Sequence, residues 1–160
     1  MNEFRRRLAD IVQNDNYIAA FADKSRRVVA IDNYSYSVNY RSAAAPVTEA
    51  ALRSVDLIMD SDSDFICTYA SAAARVTGAT ALVFNPAILG QVRDKSTGRT
   101  WFNIPTPLPH WCGAAGFPFL LTAPRIIRPR STLTVTMQSA QAVSYDDCLI
   151  TLSGGRIYYA

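Results

Sequence analysis

Residues 94–136 read DKSTGRTWFNIPTPLPHWCGAAGFPFLLTAPRIIRPRSTLTVT, and short β-type runs alternate in them with proline and glycine. The clearest runs are residues 100–102, 117–121 and 132–136. The intervening proline and glycine would interrupt a helix, and short strands separated by turn residues are typical of antiparallel sheets. This stretch therefore predicts a β-sandwich and argues against an α/β fold.

The same rhythm extends beyond this stretch in both directions. Turn-forming residues at 93–99 and at Ser153-Gly154-Gly155 predict two hairpins. Strand candidates lie at residues 55–59, 64–70, 79–85, 87–93, 99–103, 117–122, 131–137, 147–152 and 156–159. Eight or so short strands with no helical pattern between them predict an all-β protein, an antiparallel β-sandwich of jelly-roll type.

The N-terminal third differs from the rest of the chain. Phe4, Leu8, Ile11 and Val12 recur at helical spacing and predict a short amphipathic helix in residues 1–13. A helix of this length is marginal alone in water, so it requires a partner surface. We expect it to dock on its own domain or to act as an interface arm.

An alanine-rich segment that ends in Pro46 is the best candidate boundary in the chain. We place an N-terminal arm, a short helix plus an extended segment, at residues 1–46 and the sandwich domain at residues 47–160. Within the arm, Tyr34, Tyr36 and Tyr40 alternate with polar residues, which gives a strand with one aromatic face. Such a stripe indicates sheet packing or an interface, or alternatively a platform for sugars or bases.

The composition indicates a protein that packs against copies of itself. In 160 residues only 18% are charged and 49% are hydrophobic, with a net charge of +3. No apolar run approaches the roughly 18 to 20 residues of a membrane span, and the N-terminus lacks the apolar core of a signal peptide. Cys67, Cys112 and Cys148 show neither metal-ligand nor redox spacing and are interpreted as reduced core residues.

Candidate chemical sites are few. Asp60, Asp62 and Asp64 resemble the start of a calcium loop, but Phe65 and Ser71 stand where an EF-hand needs glycine and glutamate. A looser cation site stays open as an alternative to an acidic turn that faces solvent or an arginine, and we predict no metal.

His110 and Cys112 are two residues apart, which does not suit proton transfer from a thiol to its base. No nucleophile elbow, phosphate-binding loop or dinucleotide fingerprint occurs in the sequence. The sequence therefore predicts no catalytic residue and no cofactor.

A basic cluster surrounds Pro129 in the second half of the chain. Arg125, Arg128 and Arg130 could contact phosphates, but no nucleic-acid-binding signature accompanies them. We interpret the cluster as a basic rim between subunits rather than as a nucleic-acid site.

Several short segments occur in a fixed order between residues 54 and 160. They are Asp62-Ser63-Asp64-Phe65-Ile66, Asp94-Lys95-Ser96-Thr97-Gly98-Arg99, Ile104-Pro105-Thr106-Pro107, Gly116-Phe117-Pro118-Phe119, Pro124-Arg125, Pro129-Arg130-Ser131-Thr132-Leu133-Thr134-Val135 and Leu149-Ile150-Thr151-Leu152-Ser153-Gly154-Gly155-Arg156. In this order they resemble a group of small virion structural proteins of tailed bacteriophages. The N-terminal third has no such counterpart.

This resemblance implies a jelly-roll-like domain without catalysis, made in the host cytoplasm and located in the virion. Its implied partners are copies of itself, as a trimer or a higher ring, and major capsid or neck proteins. On the particle it implies a head decoration, vertex or collar protein.

Two other functions remain open from the residues. One is a glycan- or receptor-binding module of a tail or spike, with Tyr34, Tyr36, Trp101 or Trp111 as stacking platforms. The other is a small hydrolase or lyase on a β scaffold, with His110 as the base.

Overall fold

The computed structural model describes residues 15–113 and 118–160. Within them, a short helix α1 (Asp15–Ala19) precedes nine strands, and a single 3-10 turn at Leu108–His110 follows the sixth strand. The strands are β1 (Val28–Arg41), β2 (Arg53–Ile58), β3 (Ser63–Val76), β4 (Leu82–Val83), β5 (Ile88–Asp94), β6 (Thr106–Pro107), β7 (Phe119–Ile127), β8 (Thr132–Ser139) and β9 (Tyr145–Tyr159).

The strands form two antiparallel sheets. Sheet one has the order β1-β9-β3, and both β7 and β4 pair with β3 at different positions along it. Sheet two has the order β2-β8-β5-β6. The prediction of an all-β antiparallel sandwich is confirmed.

The pairing of the strands is nested. Apart from the two-residue β4, each strand of the first half pairs with a strand of the second half in reverse order: β1 with β9, β2 with β8, β3 with β7 and β5 with β6. Successive pairs belong alternately to sheet one and sheet two. The chain therefore follows the path of one long antiparallel ribbon that is rolled into two layers.

The main core lies between the two sheets. In β8, the buried side chains Leu133, Val135 and Met137 alternate with threonines, as expected for a strand with one face in the core. Sheet one contributes apolar side chains from β1, β3 and β9 to the same cluster, among them Val38, Phe65, Cys67, Ile150 and Leu152. Complete burial of each large aliphatic side chain stabilises the fold by about 1.5 to 3 kcal/mol, which fixes the sheets face to face.

A second, smaller cluster lies on the outer face of sheet one. Ile18 of α1 is fully buried against Ile66 and Ile157. Gly155 lies directly beneath it, and a Cβ at that position would be 2.8 Å from Cγ2 of Ile18. Since a five-residue helix is unstable alone, its packing on this glycine-lined surface is what holds α1 in place.

The structure changes four of the local expectations. The strand expected at residues 99–103 is reduced to an isolated bridge between Arg93 and Thr100. Val28–Arg41 of the predicted arm is strand β1, which pairs with β9 along its length, so this segment is part of the sandwich. The hairpin predicted at Ser153-Gly154-Gly155 is wrong, because Tyr145–Tyr159 is a single strand between β1 and β3. The strand expected at residues 79–85 is reduced to Leu82–Val83.

The connections at one end of the sandwich carry almost no charge, and beside them Arg41 and Arg75 form ion pairs with Asp146 and Asp147. The connections at residues 42–52, 77–87 and 140–144 meet there through backbone hydrogen bonds, and Glu49 is the only charged residue in them. Val47 and Tyr145 exchange two backbone hydrogen bonds of 2.8 and 2.9 Å. The hydroxyl of the buried Tyr145 also accepts a hydrogen bond from the Ala87 N–H, at 3.0 Å. We call this region the uncharged end.

The opposite end is rich in charge. It consists of residues 20–27, 59–62, 95–99 and 128–131, and backbone hydrogen bonds join residues 59–62 to 128–131. The charged residues in these segments are Asp23, Lys24, Arg26, Arg27, Asp60, Asp62, Lys95, Arg99, Arg128 and Arg130. We call this region the charged end.

Candidate functional site

The strongest concentration of polar side chains lies at the charged end, around Arg156. Its side chain points into the space between the sheets, and the residue is only 9% exposed. Its guanidinium lies 3.2 Å from Oδ2 of Asp60 and 2.9 Å from Oδ1 of Asp62, and its Nε donates to Oγ of Ser63 at 3.0 Å. The arginine thus forms ion pairs with two carboxylates of the acidic turn.

Aromatic rings surround the same guanidinium. The Cζ of Arg156 lies 4.5 Å from the centre of the Tyr34 ring and 5.1 Å from that of Tyr158. The Tyr36 hydroxyl donates to Oδ2 of Asp60 at 2.9 Å. Loss of hydration, with the carboxylate of Asp60 nearby, raises the pKa of Tyr36 to about 12. The arrangement is a compact cation enclosed by rings and carboxylates.

The third carboxylate of the acidic turn lies on the other face of sheet one. Asp64 is 1% exposed, and its Oδ2 accepts from Nη1 of Arg128 at 2.7 Å and from the Tyr159 hydroxyl at 3.0 Å. Its Oδ1 has no hydrogen-bond partner among the described residues. Because successive strand residues point to opposite faces, Asp64 points away from the face on which Ser63 accepts from Arg156, whereas Asp62 precedes the strand and stays beside Arg156.

The three aspartates that could have formed a cation site therefore do not converge on one point in the structure. Asp60 and Asp62 are paired with Arg156, and Asp64 is paired with Arg128. Within residues 15–113 and 118–160, no three His, Cys, Asp or Glu side chains converge in a way that could hold a metal ion.

The three arginines predicted as one rim lie in different settings. Arg128 forms the ion pair with Asp64, and Arg125 donates to the Trp101 carbonyl at 3.3 Å with its guanidinium 5.9 Å from the centre of that ring. Arg130 is exposed and adopts a left-handed backbone with a φ of 59°. Arg128 and Arg130 belong to the charged end, whereas Arg125 faces an aromatic cleft.

This cleft has a volume of about 130 Å³ and lies beside β7. It is lined by Trp101, Phe102, His110, Trp111, Phe119, Leu121, Ala123 and Arg125. Its volume is comparable with the roughly 150 Å³ of a protein cavity that accepts a benzene ring. The cleft combines ring surfaces with one cation and one imidazole, which suits a small planar or ring-shaped group.

The predicted tyrosine stripe divides between core and surface. Tyr36 is buried and packs edge-to-face on Phe65, at 4.9 Å between ring centres. The Tyr40 hydroxyl donates to the Ala45 carbonyl, and its ring packs on the main core. Of the three, Tyr34 is the most exposed, at 39%, and its ring faces Arg156. The arm residues Phe4, Leu8, Ile11 and Val12 lie outside the described residues.

The thiols are placed as the sequence predicted. Cys67, Cys112 and Cys148 are all buried and unpaired with one another. Burial raises the pKa of Cys67 and of Cys148 to about 12 and raises the pKa of Cys112 still further from its ordinary value. Because the thiolate is the nucleophile, the environment of Cys112 disfavours covalent catalysis by this residue.

The sequence analysis missed Arg156 as an organising residue. The signal was present as a period of two: Leu152, Gly154, Arg156 and Tyr158 share one face of β9. The expected hairpin at Ser153-Gly154-Gly155 interrupted that period, so the arginine was not assigned to the inner face.

No helix among the described residues is long and apolar enough to cross a bilayer. Comparison with protein-family models, with curated proteins and with solved structures finds no match to this chain.

Proposed function

We propose that this protein is a non-enzymatic structural protein of a virus particle, which assembles in multiple copies. We further propose that its sandwich is of the jelly-roll type. From the sequence resemblance, the particle is that of a tailed bacteriophage, and the protein acts on its head as a decoration, vertex or collar protein in contact with major capsid or neck proteins.

The nested strand pairing is the observation that carries this proposal. A jelly roll is an eight-stranded, two-sheet fold built from two Greek keys, and it recurs in viral capsid and lectin domains. Four nested antiparallel pairs that alternate between two sheets are what such a fold requires. This agreement supports the jelly-roll type, and through it a role in a virus particle.

The chemistry of the side chains supports a structural role as well. Arg156 and Arg128 are engaged in ion pairs with the acidic turn, and the three thiols are buried with raised pKa values. Many weak contacts repeated over a particle supply strong attachment by avidity, so a subunit needs no deep site of its own.

Quantitative mass spectrometry of density-gradient-purified particles from the source tests this function. We expect the protein to co-purify with the particles at many copies each, in fixed ratio to the major shell protein. Recovery only in the soluble fraction, with none in the particles, would overturn the proposal.

A second candidate is a glycan-binding module, and the aromatic cleft is the observation that favours it. Trp101 and Phe119 offer ring surfaces for a sugar, and Arg125 supplies a donor beside them. Trp111, in contrast, is 2% exposed and packs within the core, so it offers little surface for stacking.

A glycan array with the full-length protein, followed by titration of each hit, tests this alternative. Binding that Trp101→Ala abolishes and Ile104→Ala preserves would support it, because Ile104 is exposed and lies outside the cleft. An array without hits would remove the glycan function and leave the structural one.

A further inference from the structure

We propose that the open edge of β1 pairs with β1 of a second copy of this chain, antiparallel and about a two-fold axis that passes beside Tyr36. Sheet one then continues from one copy into the next. This inference goes beyond the proposed function, because it specifies the strand, the orientation and the register of a contact between copies.

The backbone of β1 presents unpaired groups along this edge. β1 is the last strand of sheet one, and no other strand among the described residues pairs with its free side. Near its two ends, the Ser42 N–H donates to the Asp146 carbonyl and the Ala160 N–H donates to the Arg27 carbonyl. Because the hydrogen-bonding side alternates along a strand and the register is constant from residue 30 to residue 41, even-numbered residues bond to β9. The odd-numbered residues of this range therefore turn both N–H and C=O toward the open edge.

The middle of β1 has no feature that protects this edge from another strand. Edge strands of native proteins usually carry lysine, proline, a bulge or an inward charge that prevents pairing. In β1 such features lie toward the ends, as a register shift after Val28 and as the charged residues Asp32 and Arg41. Residues 33–40 contain none of them. At 14 residues β1 is also the longest strand at a sheet edge, so its middle is a template for a further strand.

The side chains at these outward positions read the same in both directions about Tyr36. Ser35 and Ser37 flank it, and Asn33 and Asn39 follow at equal distances. In antiparallel pairing about a two-fold axis beside Tyr36, Ser35 lies opposite Ser37 of the second copy and Asn33 lies opposite Asn39 of the second copy. Serine and asparagine both donate and accept hydrogen bonds, so each like pair is complementary. This internal symmetry favours a second copy of β1 over an unrelated strand.

Two hydroxyl contacts keep the edge accessible. The Ser35 hydroxyl lies 2.7 Å from that of Ser153, and the Ser37 hydroxyl lies 3.1 Å from that of Thr151. Both contacts draw the side chains of β1 toward β9 and away from the open edge. Since a hydroxyl has one donor and two acceptor sites, Ser35 and Ser37 retain capacity for a group of the second copy.

The charges on β1 favour the antiparallel orientation. Asp32 and Arg41 are its only charged residues, and they lie toward opposite ends of the strand. Antiparallel pairing about Tyr36 places Asp32 opposite Tyr40 of the second copy and next to Arg41 of the second copy. A parallel arrangement in the same register would bring each charge beside its own copy, where like charges repel.

The first experiment measures the association of the full-length protein by sedimentation velocity over a range of concentrations. Ser37→Pro removes an N–H that donates to Ser35 of the second copy, and symmetry doubles the loss, so we expect the dissociation constant to rise at least about tenfold. Proline is tolerated at an edge position whose N–H points outward, and circular dichroism checks that the variant is folded. The matched control Ser37→Ala loses the same hydroxyl but keeps the N–H, and we expect a change of less than about threefold.

A second experiment tests the register by disulfide formation between copies. Residues directly opposite each other in this pairing have Cα atoms about 5.5 Å apart, within reach of a disulfide, whereas diagonal neighbours are too far apart. A mixture of Ser35→Cys and Ser37→Cys copies should therefore form a linked dimer on mild oxidation. Neither variant alone should do so, and the native thiols do not compete because they are buried.

The outcomes are distinct from those that test the proposed function. A parent protein that stays monomeric at every concentration, or a Ser37→Ala variant that dissociates as readily as Ser37→Pro, would show that β1 does not pair between copies. The same conclusion would follow from an unlinked mixture or from linkage within one variant alone, and these results decide the matter if Ser37→Pro does not fold. None of these results alters the recovery of the protein in purified particles, on which the proposed function depends.

Discussion

The connections at the two ends of the sandwich are joined by different kinds of interaction. At the charged end, side chains make the decisive contacts, because Arg156 joins Asp60, Asp62 and Ser63 within 3.2 Å. At the uncharged end, backbone groups and the hydroxyl of Tyr145 join the connections, and the ion pair of Arg75 with Asp146 lies beside them. The comparison shows that the connections at one end are joined mainly by side-chain ion pairs and those at the other end mainly by backbone hydrogen bonds.

The largest expected effect of a single change tests the charged end. Arg156→Ala removes the cation that two carboxylates and two tyrosine rings share, so we expect a loss of about 3 kcal/mol in the free energy of unfolding. Chemical denaturation measures it. As a control, Arg41→Ala breaks an exposed pair 3.7 Å long with Asp147 and should cost below about 0.5 kcal/mol. Equal losses would show that Arg156 does not hold the charged end together.

A smaller effect is expected at the uncharged end. Tyr145→Phe leaves the half-buried Ala87 N–H without its acceptor and should lower the free energy of unfolding by about 1 kcal/mol. Tyr158→Phe removes a hydroxyl at the charged end whose ring faces Arg156, and we expect a change below about 0.5 kcal/mol. Denaturation of both variants checks this, and a neutral Tyr145→Phe would contradict the role of this hydrogen bond.

As the pH falls, we expect the charged end to lose local stability before the uncharged end does. Loss of hydration raises the pKa of Asp62, but the Ser63 hydroxyl and the Arg156 charge outweigh it and hold this pKa below its ordinary value. A carboxyl group whose pKa is lower in the folded than in the unfolded protein stabilises the fold at pH values above its unfolded-state pKa. This stabilisation is lost as the pH falls through the folded-state pKa, below about pH 4.

Hydrogen exchange measures this loss at two amides. The Arg130 N–H, which donates to Asp60, should lose protection in acid before the Val47 N–H, which donates to Tyr145. Loss of protection at Val47 first would reverse the comparison.

The smallest effect is expected at Arg130. Its φ of 59° disfavours a side chain, so Arg130→Gly relieves backbone strain while it adds entropy to the unfolded chain. These terms oppose each other, and we expect the melting temperature to change by at most about 2 °C. Scanning calorimetry measures it. A large loss would show that the exposed side chain of Arg130 makes a contact that stabilises the charged end.

Local patterns predicted the strand-rich part of the fold well. The candidate at residues 131–137 overlaps β8 almost completely, since its alternation of apolar residues and threonine belongs to a strand with one buried face. Predictions failed where the local signal was ambiguous. Gly154 and Gly155 suggested a turn, but a Cβ on Gly154 would lie 1.8 Å from the Ile66 carbonyl oxygen, so that glycine serves a close approach of β9 to β3.

The candidate sites were predicted less well than the strands. The three aspartates at 60, 62 and 64 look alike in sequence, yet β3 begins at Ser63 and sends Asp64 to the outer face of sheet one. Their arginine partners lie 64 and 94 residues away along the chain, at Arg128 and Arg156. No short-range pattern contains such pairings.

By itself, the sequence determined that this chain forms antiparallel strands, that it contains few charged residues and that its thiols are buried, whereas β1, β3 and β9 are longer than the short strands it predicted. These properties are local, because they follow from the period of apolar residues, from turn residues and from composition. Only the tertiary structure decided that β1 pairs with β9, that Arg156 closes the charged end and that three connections with a single charged residue meet around Tyr145. Strand pairing joins residues far apart in the chain. An alternating pattern assigns residues to the two faces of a strand, but it does not determine which strand pairs with it.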